Sequence, residues 1–302
     1  MKTLFNFILG ISIFIYGIEL FSNSFFNIND KLQIILKKYT KSILSGIILG
    51  TISTSIIQSS SIIMIITINL INNNTISFYE SLGIMMGANL GTCITSWITS
   101  LLCIDSLNIS FYLPIIFLIG LILFLKHKKR TSNLIIGYSF FLLGLEMIQN
   151  NLNSLIEYRL FKDIIYSLNN PILGLLIGFI TTSIVQSSSA TIAILQIIST
   201  KKKLTYYMTI PIILGENIGS CIVTLFSSIN CKKNAKKLAF SHLLYNIIGS
   251  LIFIIIFYIV KYLNINYLYY EVNSYSIALI HTLFNLLSIF IFYPFINKLY
   301  SN

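Results

Sequence analysis

The sequence predicts an all-α polytopic membrane protein made of two inverted-topology repeats, each with a re-entrant helical hairpin carrying Gln-Ser-Ser-Ser. Three observations lead there: a composition too apolar for a soluble domain, a motif that occurs twice in register, and hairpin arms too short to cross a bilayer. Of the 302 residues, 56% are hydrophobic and 10% are charged. A soluble surface needs roughly a quarter of its residues charged. Several apolar stretches approach the ~20 residues that cross a ~30 Å hydrocarbon core as helix. Strand-type alternation is absent, which argues against an outer-membrane barrel. The net charge of +11 is gathered at Lys37, Lys38 and Lys41, at Lys126 to Arg130, at Lys201 to Lys203 and at Lys232 to Lys237. Between apolar runs such clusters anchor loops at a membrane face, and nucleic acid is not an expected partner. The four cysteines have no metal-ligand spacing and read as small packing residues, so no transition metal is expected. The N-terminal apolar run is interrupted by Glu19 and has a counterpart later in the chain, so it reads as a mature helix rather than a signal peptide.

The chain is a duplication. A shift of 128 places Gln186 on Gln58, Ser187, Ser188 and Ser189 on Ser59, Ser60 and Ser61, and Thr182 and Ser183 on Thr54 and Ser55. It also lays Gly178 on Gly50, and GENIGSC (Gly215 to Cys221) on GANLGTC (Gly87 to Cys93), pairing Asn217 with Asn89 and Ser220 with Thr92. Upstream, a shift of 127 lays Gly137 to Asn150 on Gly10 to Asn23 and registers Glu146 with Glu19.

The first repeat, residues 1–130, opens with a spanning helix over about 4–26. A connecting segment leads to a hairpin over about 43–72, a helix over about 78–103 that carries GANLGTC, and a helix near 110–125. The second, residues 131–302, repeats the order with a helix at 133–150, a hairpin at about 170–200 and a GENIGSC helix at 205–229. Two further helices, 238–260 and 275–297, complete it. The hairpin arms decide the topology. Ile43 to Ile57 is 15 residues and Ile62 to Ile71 is 10, so at ~1.5 Å per residue neither comfortably crosses the core. Irregular backbone at that depth is tolerated where protein buries it or a wet cavity lies beside it.

Hairpins that do not cross leave three spanning helices between the starts of the two repeats, and an odd number inverts the second. One face then collects Lys31, Lys37, Lys38, Lys41, Lys126, Lys128, Lys129, Arg130, Lys232, Lys233, Lys236, Lys237 and Lys298, 13 of the 20 Lys and Arg. The other takes most of the loop acids, Asp105, Glu157, Asp163 and Glu271. The lysine-rich face is cytoplasmic by the positive-inside rule. The first hairpin then enters from the cytoplasm and the second from outside, with Lys201 to Lys203 the cluster that fits worst.

A re-entrant turn brings a helix C-terminus and a helix N-terminus together inside the membrane. The N-terminus offers free N–H groups and the positive end of the dipole, which suit an anion. The C-terminus offers unpaired carbonyls, which suit sodium. The serines can cap the second arm and also donate outward. No Lys or Arg occurs between Ile43 and Leu125, so an anion held there would need mobile cations beside it. Polar glue between helices is the bland reading of one such motif; two registered copies at hairpin turns favour a transport site. Glu216 replaces Ala88 between the repeats, and an acid in a membrane segment is a functional candidate, as a sodium ligand or proton-linked site. Glu19 and Glu146, as twins, suggest a structural tie. His242 with Asn246 and His281 with Asn285 share helix faces and suggest hydrogen bonds between helices. No nucleophile motif accompanies the serines, so the chain is not expected to be an enzyme. A passive anion channel is a closer rival.

The duplicated QSSS preceded by Thr-Ser, the G-x-N-x-G-[TS]-C pair and HLLYN (His242 to Asn246) resemble the type II sodium–phosphate cotransporter family, including its bacterial branch. The resemblance covers nearly the whole chain and implies a hairpin-based inverted-repeat fold in the plasma membrane. It implies symport of inorganic phosphate with sodium by alternating access, with no cofactor beyond Na+ as coupling ion. Export, or a passive or proton-coupled pathway through the same site, is the alternative. By this resemblance Gln58, Ser59, Ser60, Ser61, Gln186, Ser187, Ser188 and Ser189 line the phosphate site. Thr54, Ser55, Asn89, Thr92, Thr182, Ser183, Asn217, Ser220 and Glu216 become sodium or supporting candidates. Phosphate, sodium and the lipid bilayer are the expected partners, and a homodimer stays open. Many bacterial relatives carry a soluble regulatory domain after the core; none is expected in this sequence, so that form of regulation and the direction of transport do not carry over from the resemblance.

Overall fold

The structure, a computed structural model, describes residues 2–24, 29–103, 109–201, 204–263 and 266–300. Phe25 and Phe26 at the expected end of the first helix, Asp105, Lys202 and Lys203 lie outside the described residues, as do the side chains of Lys31 and Lys298. Thirteen α-helices account for nearly all of the described chain, and a single bridging pair, Thr205–Glu271, is its only strand-like contact among the described residues. The protein is an all-α polytopic membrane protein.

The first half runs α1 (Lys2–Asn23), α2 (Asn29–Tyr39), α3 (Ile43–Ile57), α4 (Ser60–Asn72), α5 (Phe78–Leu102) and α6 (Ile109–Leu125). The second runs α7 (Lys129–Ile156), α8 (Arg159–Ser167), α9 (Pro171–Val185), α10 (Ser188–Lys201) and α11 (Tyr206–Ser228), followed by α12 (Lys233–Tyr262) and α13 (Ser274–Tyr300). The segments leading into the hairpins, read from sequence as connections, contain the short helices α2 and α8. The second of these bends by 115° into α9. Each hairpin starts at a defined cap. The Ser42 hydroxyl accepts from the Ser45 N–H in a reciprocal capping box, and Asn170 caps α9 ahead of Pro171 at its first turn.

Close approach of backbones sets the packing. A β-carbon on Gly87 would strike the Ile47 carbonyl, and one on Gly215 would strike that of Leu175, the same contact 128 residues on. The glycines of the two G-x-N-x-G motifs therefore let α5 lie against α3 and α11 against α9. The α1–α7 pair is reciprocal: Gly17 lies against the Phe141 backbone, Gly144 lies against Phe14, and the two phenylalanine rings meet with centroids 5.1 Å apart. Residue i meeting j while j′ meets i′ is the pattern of a two-fold relation between the pair.

Five described helices, α1, α7, α11, α12 and α13, are long and apolar enough to cross a membrane. Helix α5, expected to span, is long enough at 25 residues but falls short on apolarity. Most of its residues are buried by other helices, so Ser, Thr, Gly and Asn replace lipid-facing side chains there. Helix α6 is apolar but has 17 residues. A stripe on the first arm of each hairpin faces outward at helical spacing: Leu44, Ile48, Ile52 and Ile56, then Ile172, Leu176, Ile180 and Ile184. In a membrane these meet lipid, and the opposite faces of the arms meet α5 and α11.

Candidate functional site

Helices α3 and α9 each stop at a glutamine in the left-handed region, Gln58 at φ 61° and Gln186 at φ 56°. That conformation is uncommon for a residue with a β-carbon and persists where its surroundings hold it. The Gln58 N–H donates to the Thr54 carbonyl and the Gln186 N–H to that of Thr182, at 2.7 and 2.8 Å. The chain then turns and starts a new helix at once. The Ser59 hydroxyl accepts from the Ile62 N–H, and the Ser187 hydroxyl from the Ala190 N–H, each at 3.3 Å. Each tip thus joins a helix C-terminus to a helix N-terminus within two residues, so partial charges of both signs lie side by side.

The two tips share one cavity of about 430 Å³, lined by Gln58, Ser59, Ser60, Ser61, Gln186, Ser187, Ser188 and Ser189. All eight residues read from the sequence as the phosphate site come together there. Glu19, Ser22 and Asn23 of α1 line it too, with apolar walls from Ile15, Ile18, Ile62, Ile65, Val185 and Val223. Among the described residues no Lys or Arg lines it. Glu19 was assigned a structural tie from the sequence; the cavity gives it a different setting from its twin Glu146, which lines an apolar hollow with Pro114 and Phe117. An acid inside an apolar helix was the signal available for it.

Behind the tips the two halves repeat each other bond by bond, then depart at three places. The Ser55 hydroxyl donates to the Thr51 carbonyl and that of Ser183 to Phe179, both at 2.7 Å; Thr92 donates to Asn89 and Ser220 to Asn217, both at 2.6 Å. These four hydroxyls spend their protons on backbone and keep oxygen lone pairs to offer. The first departure is at Gln58, whose Oε1 accepts from the Thr95 hydroxyl at 2.6 Å and whose amide also donates to the Ser55 carbonyl. Val223 stands where a second Thr95 would be, and Gln186 is the more exposed glutamine. The second is at Thr182, whose hydroxyl donates to Thr191 at 2.9 Å. Ile63 occupies the matching place in the first half, and the buried Thr54 hydroxyl has no hydrogen-bond partner. The third is Glu216, fully buried where the first half has Ala88. Asn89 and Asn217 are both buried and are not among the cavity residues: Asn89 meets His242 and Asn246 of α12, and Asn217 meets Glu216 beside it on α11.

Broken helices paired tip to tip around a polar cavity, within a bundle of apolar helices, define a multi-pass membrane protein of the paired-hairpin kind. The chain belongs to the Na+/Pi-cotransporter family, whose profile matches residues 13–150 and again 140–270, so that each match takes in one Gln-Ser-Ser-Ser. Among similar proteins, YqeW of Bacillus subtilis is 24% identical over 224 residues, 73% of this chain and 71% of the relative. YjbB of Escherichia coli, named for inorganic phosphate export, is 22% identical over 258 residues, 83% of this chain and 46% of the relative. The human sodium-dependent phosphate transport protein 2B is 46% identical over 55 residues, 18% of this chain and 8% of that protein. The chain thus spans less than half the length of YjbB. No solved structure matches it.

Proposed function

We propose that this protein is a secondary transporter that moves inorganic phosphate with sodium across the plasma membrane by alternating access, holding phosphate between the two hairpin tips. The observation that carries this reading is the single cavity lined by both Gln-Ser-Ser-Ser turns. Its chemistry suits a tetrahedral oxyanion. Six serine hydroxyls, two carboxamides and the free N–H groups of two helix starts all donate, and phosphate oxygens accept. Two dipole ends supply about half a positive charge each, which falls short of a divalent anion. The cavity adds no lysine or arginine and contains the Glu19 carboxylate, so cations must enter with phosphate. Family membership points to sodium. Thr54, Ser55, Thr92, Thr182, Ser183 and Ser220 are the hydroxyls we assign to it or to its support, with Asn89, Asn217 and Glu216 behind them.

The repeats are read as inverted, with one hairpin entering from each face and the helices of one half moving against the other. Phosphate export is a second reading, favoured by the name that the YjbB relatives carry. Both readings place phosphate at the same tips.

Phosphate flux through purified protein in liposomes tests the site. Gln186→Ala and Ser188→Ala each remove a donor to an ionised group, worth about 1.5–3 kcal/mol, so apparent phosphate affinity should fall roughly tenfold or more while the protein stays in the membrane. Two variants that carry phosphate as well as the parent would remove the tips from the site.

A further inference from the structure

The bundle builds one buried polar network twice, and it closes once. Around Asn89 it is complete: its Oδ1 pairs with His242 Nε2 at 3.0 Å and its Nδ2 donates to Asn246 Oδ1 at 3.2 Å, while His242 Nδ1 pairs with the Thr224 hydroxyl at 3.1 Å. The same parts recur on α13 with the halves exchanged. His281 Nδ1 pairs with the Ser96 hydroxyl at 2.9 Å, and Asn285 Nδ2 donates to the His281 carbonyl at 3.0 Å and approaches Cys93 Sγ at 3.5 Å. Ser96 and Cys93 are the counterparts of Thr224 and Cys221, to which Asn246 Nδ2 donates. By this correspondence His281 Nε2 and Asn285 Oδ1 face Asn217 as His242 and Asn246 face Asn89.

Asn217 does not close the second network. Its Nδ2 turns to Glu216 Oε2 and to the Ile213 carbonyl, each at 2.8 Å. Three buried atoms are left without a hydrogen-bond partner: Glu216 Oε1, His281 Nε2 and Asn285 Oδ1. All three residues are 0% exposed. His281 Nε2 stands 3.9 Å from Glu216 Oε2, beyond hydrogen-bond reach. Unmet polar atoms in such a place are costly and rare, and three on the packed helices α11 and α13 ask for a missing partner.

We propose that Glu216 and Asn285 form a monovalent-cation site that exists in the second half alone, with sodium as its probe. Ionised, Glu216 offers Oε1 as an anionic oxygen and Asn285 Oδ1 adds a neutral one, the hard oxygen donors that such a cation prefers. A divalent ion would draw on more than one carboxylate, and no group of three or more His, Cys, Asp or Glu gathers here or elsewhere among the described residues. A water would satisfy the donors and acceptors without supplying the positive charge that an ionised buried carboxylate calls for. Ser188 ties this point to the cavity: its side chain interacts with the Glu216 carboxyl and also lines the space between the tips. Sodium at an ionised Glu216 therefore leaves no net negative charge behind the wall next to the anion. The first half, with Ala88, has no such charge to neutralise. The link to phosphate rests on the transporter reading above; the cation site itself does not.

Thermal unfolding of the purified chain in detergent, without phosphate, tests the site, with sodium chloride titrated against N-methyl-D-glucamine chloride at constant ionic strength. Sodium should raise Tm along a saturable curve. Glu216→Gln should move the half-saturating sodium concentration up by roughly tenfold or more, the factor that about 1.4 kcal/mol represents. Asn285→Ala should move it in the same direction, and Glu216→Asp should keep a saturable but weaker response, so the test survives if Glu216→Gln does not fold. A parent chain that sodium does not stabilise, or variants that titrate like the parent, would overturn the site. Glu216-dependent sodium binding beside sodium-indifferent phosphate flux would uphold the site and sink the coupling. Sodium-driven flux with unaltered binding in all three variants would do the reverse.

Discussion

Gln58 and Gln186 adopt the same left-handed turn, yet one is tethered and the other is not held by the same group. Thr95 reaches Gln58 Oε1 from α5, while Val223 offers nothing of the kind to Gln186. We expect Gln58 to be the fixed wall of the cavity and Gln186 the adaptable one. Thr95→Val, which copies the second half into the first, should weaken apparent phosphate affinity about 2- to 10-fold, for a hydrogen bond worth ~0.5–1.5 kcal/mol. The concentration dependence of uptake measures it, and an unchanged affinity would mean that the turn at Ser55 holds Gln58 by itself. The eight tip residues were legible in the sequence because the motif occurs twice and polar residues stand out in apolar runs. Thr95 carried no signal of its own, and Glu19 read as a structural tie with its twin Glu146 rather than as a cavity residue. The exchange of Thr95 for Val223 is visible in the alignment of the halves, but it acquires meaning once α5 is known to pass behind the first tip. Likewise the partnerless hydroxyl of Thr54 follows from Ile63 standing opposite it, a neighbour nine residues away that spacing alone does not bring near.

The hairpins were the most legible elements. Arms of 15 and 13 residues in the first and 15 and 14 in the second match limits set by caps at Ser42 and Asn170 and by the Gln-Ser break. At ~1.5 Å per residue an arm of 15 spans about 22 Å, short of the ~30 Å core. The lead-in helices were missed because neither is long or apolar enough to register as a span. Helix α8 carries Leu160, Ile164 and Tyr166 exposed among Arg159, Lys162 and Asp163, the make-up of a helix lying along a membrane surface. The helices that host the G-x-N-x-G motifs were legible as helices, but their burial was not; the glycines that bring α3 onto α5 explain why α5 dispenses with an apolar surface. The proposed inversion of the repeats makes a prediction at this scale. Single cysteines at Lys38, at the end of α2, and at Lys201, at the end of α10, should react with an impermeant thiol reagent from opposite faces. Labelling from one face would contradict the inversion. Three of the four native thiols are buried, which keeps the background low.

Across the whole molecule the charge pattern is the strongest constraint. Twenty Lys and Arg lie in a chain with nine acids, yet none lines the shared cavity, while Glu19 does and Glu216 lies behind Ser188. Among the described residues, a basic protein keeps its cations out of the cavity to which we assign the anion. On the proposed reading the positive charge arrives from solution, and phosphate movement is then tied to a cation gradient rather than to a fixed counter-ion. The two-fold relation of the halves supplies the means, since two tips of equivalent geometry can open in turn to opposite sides. Uptake of radioactive phosphate into proteoliposomes, with and without an inward sodium gradient at fixed ionic strength and pH, bears on this most directly. Uptake should follow the sodium gradient and collapse when N-methyl-D-glucamine replaces sodium; phosphate flux that proceeds equally well without sodium would contradict the account.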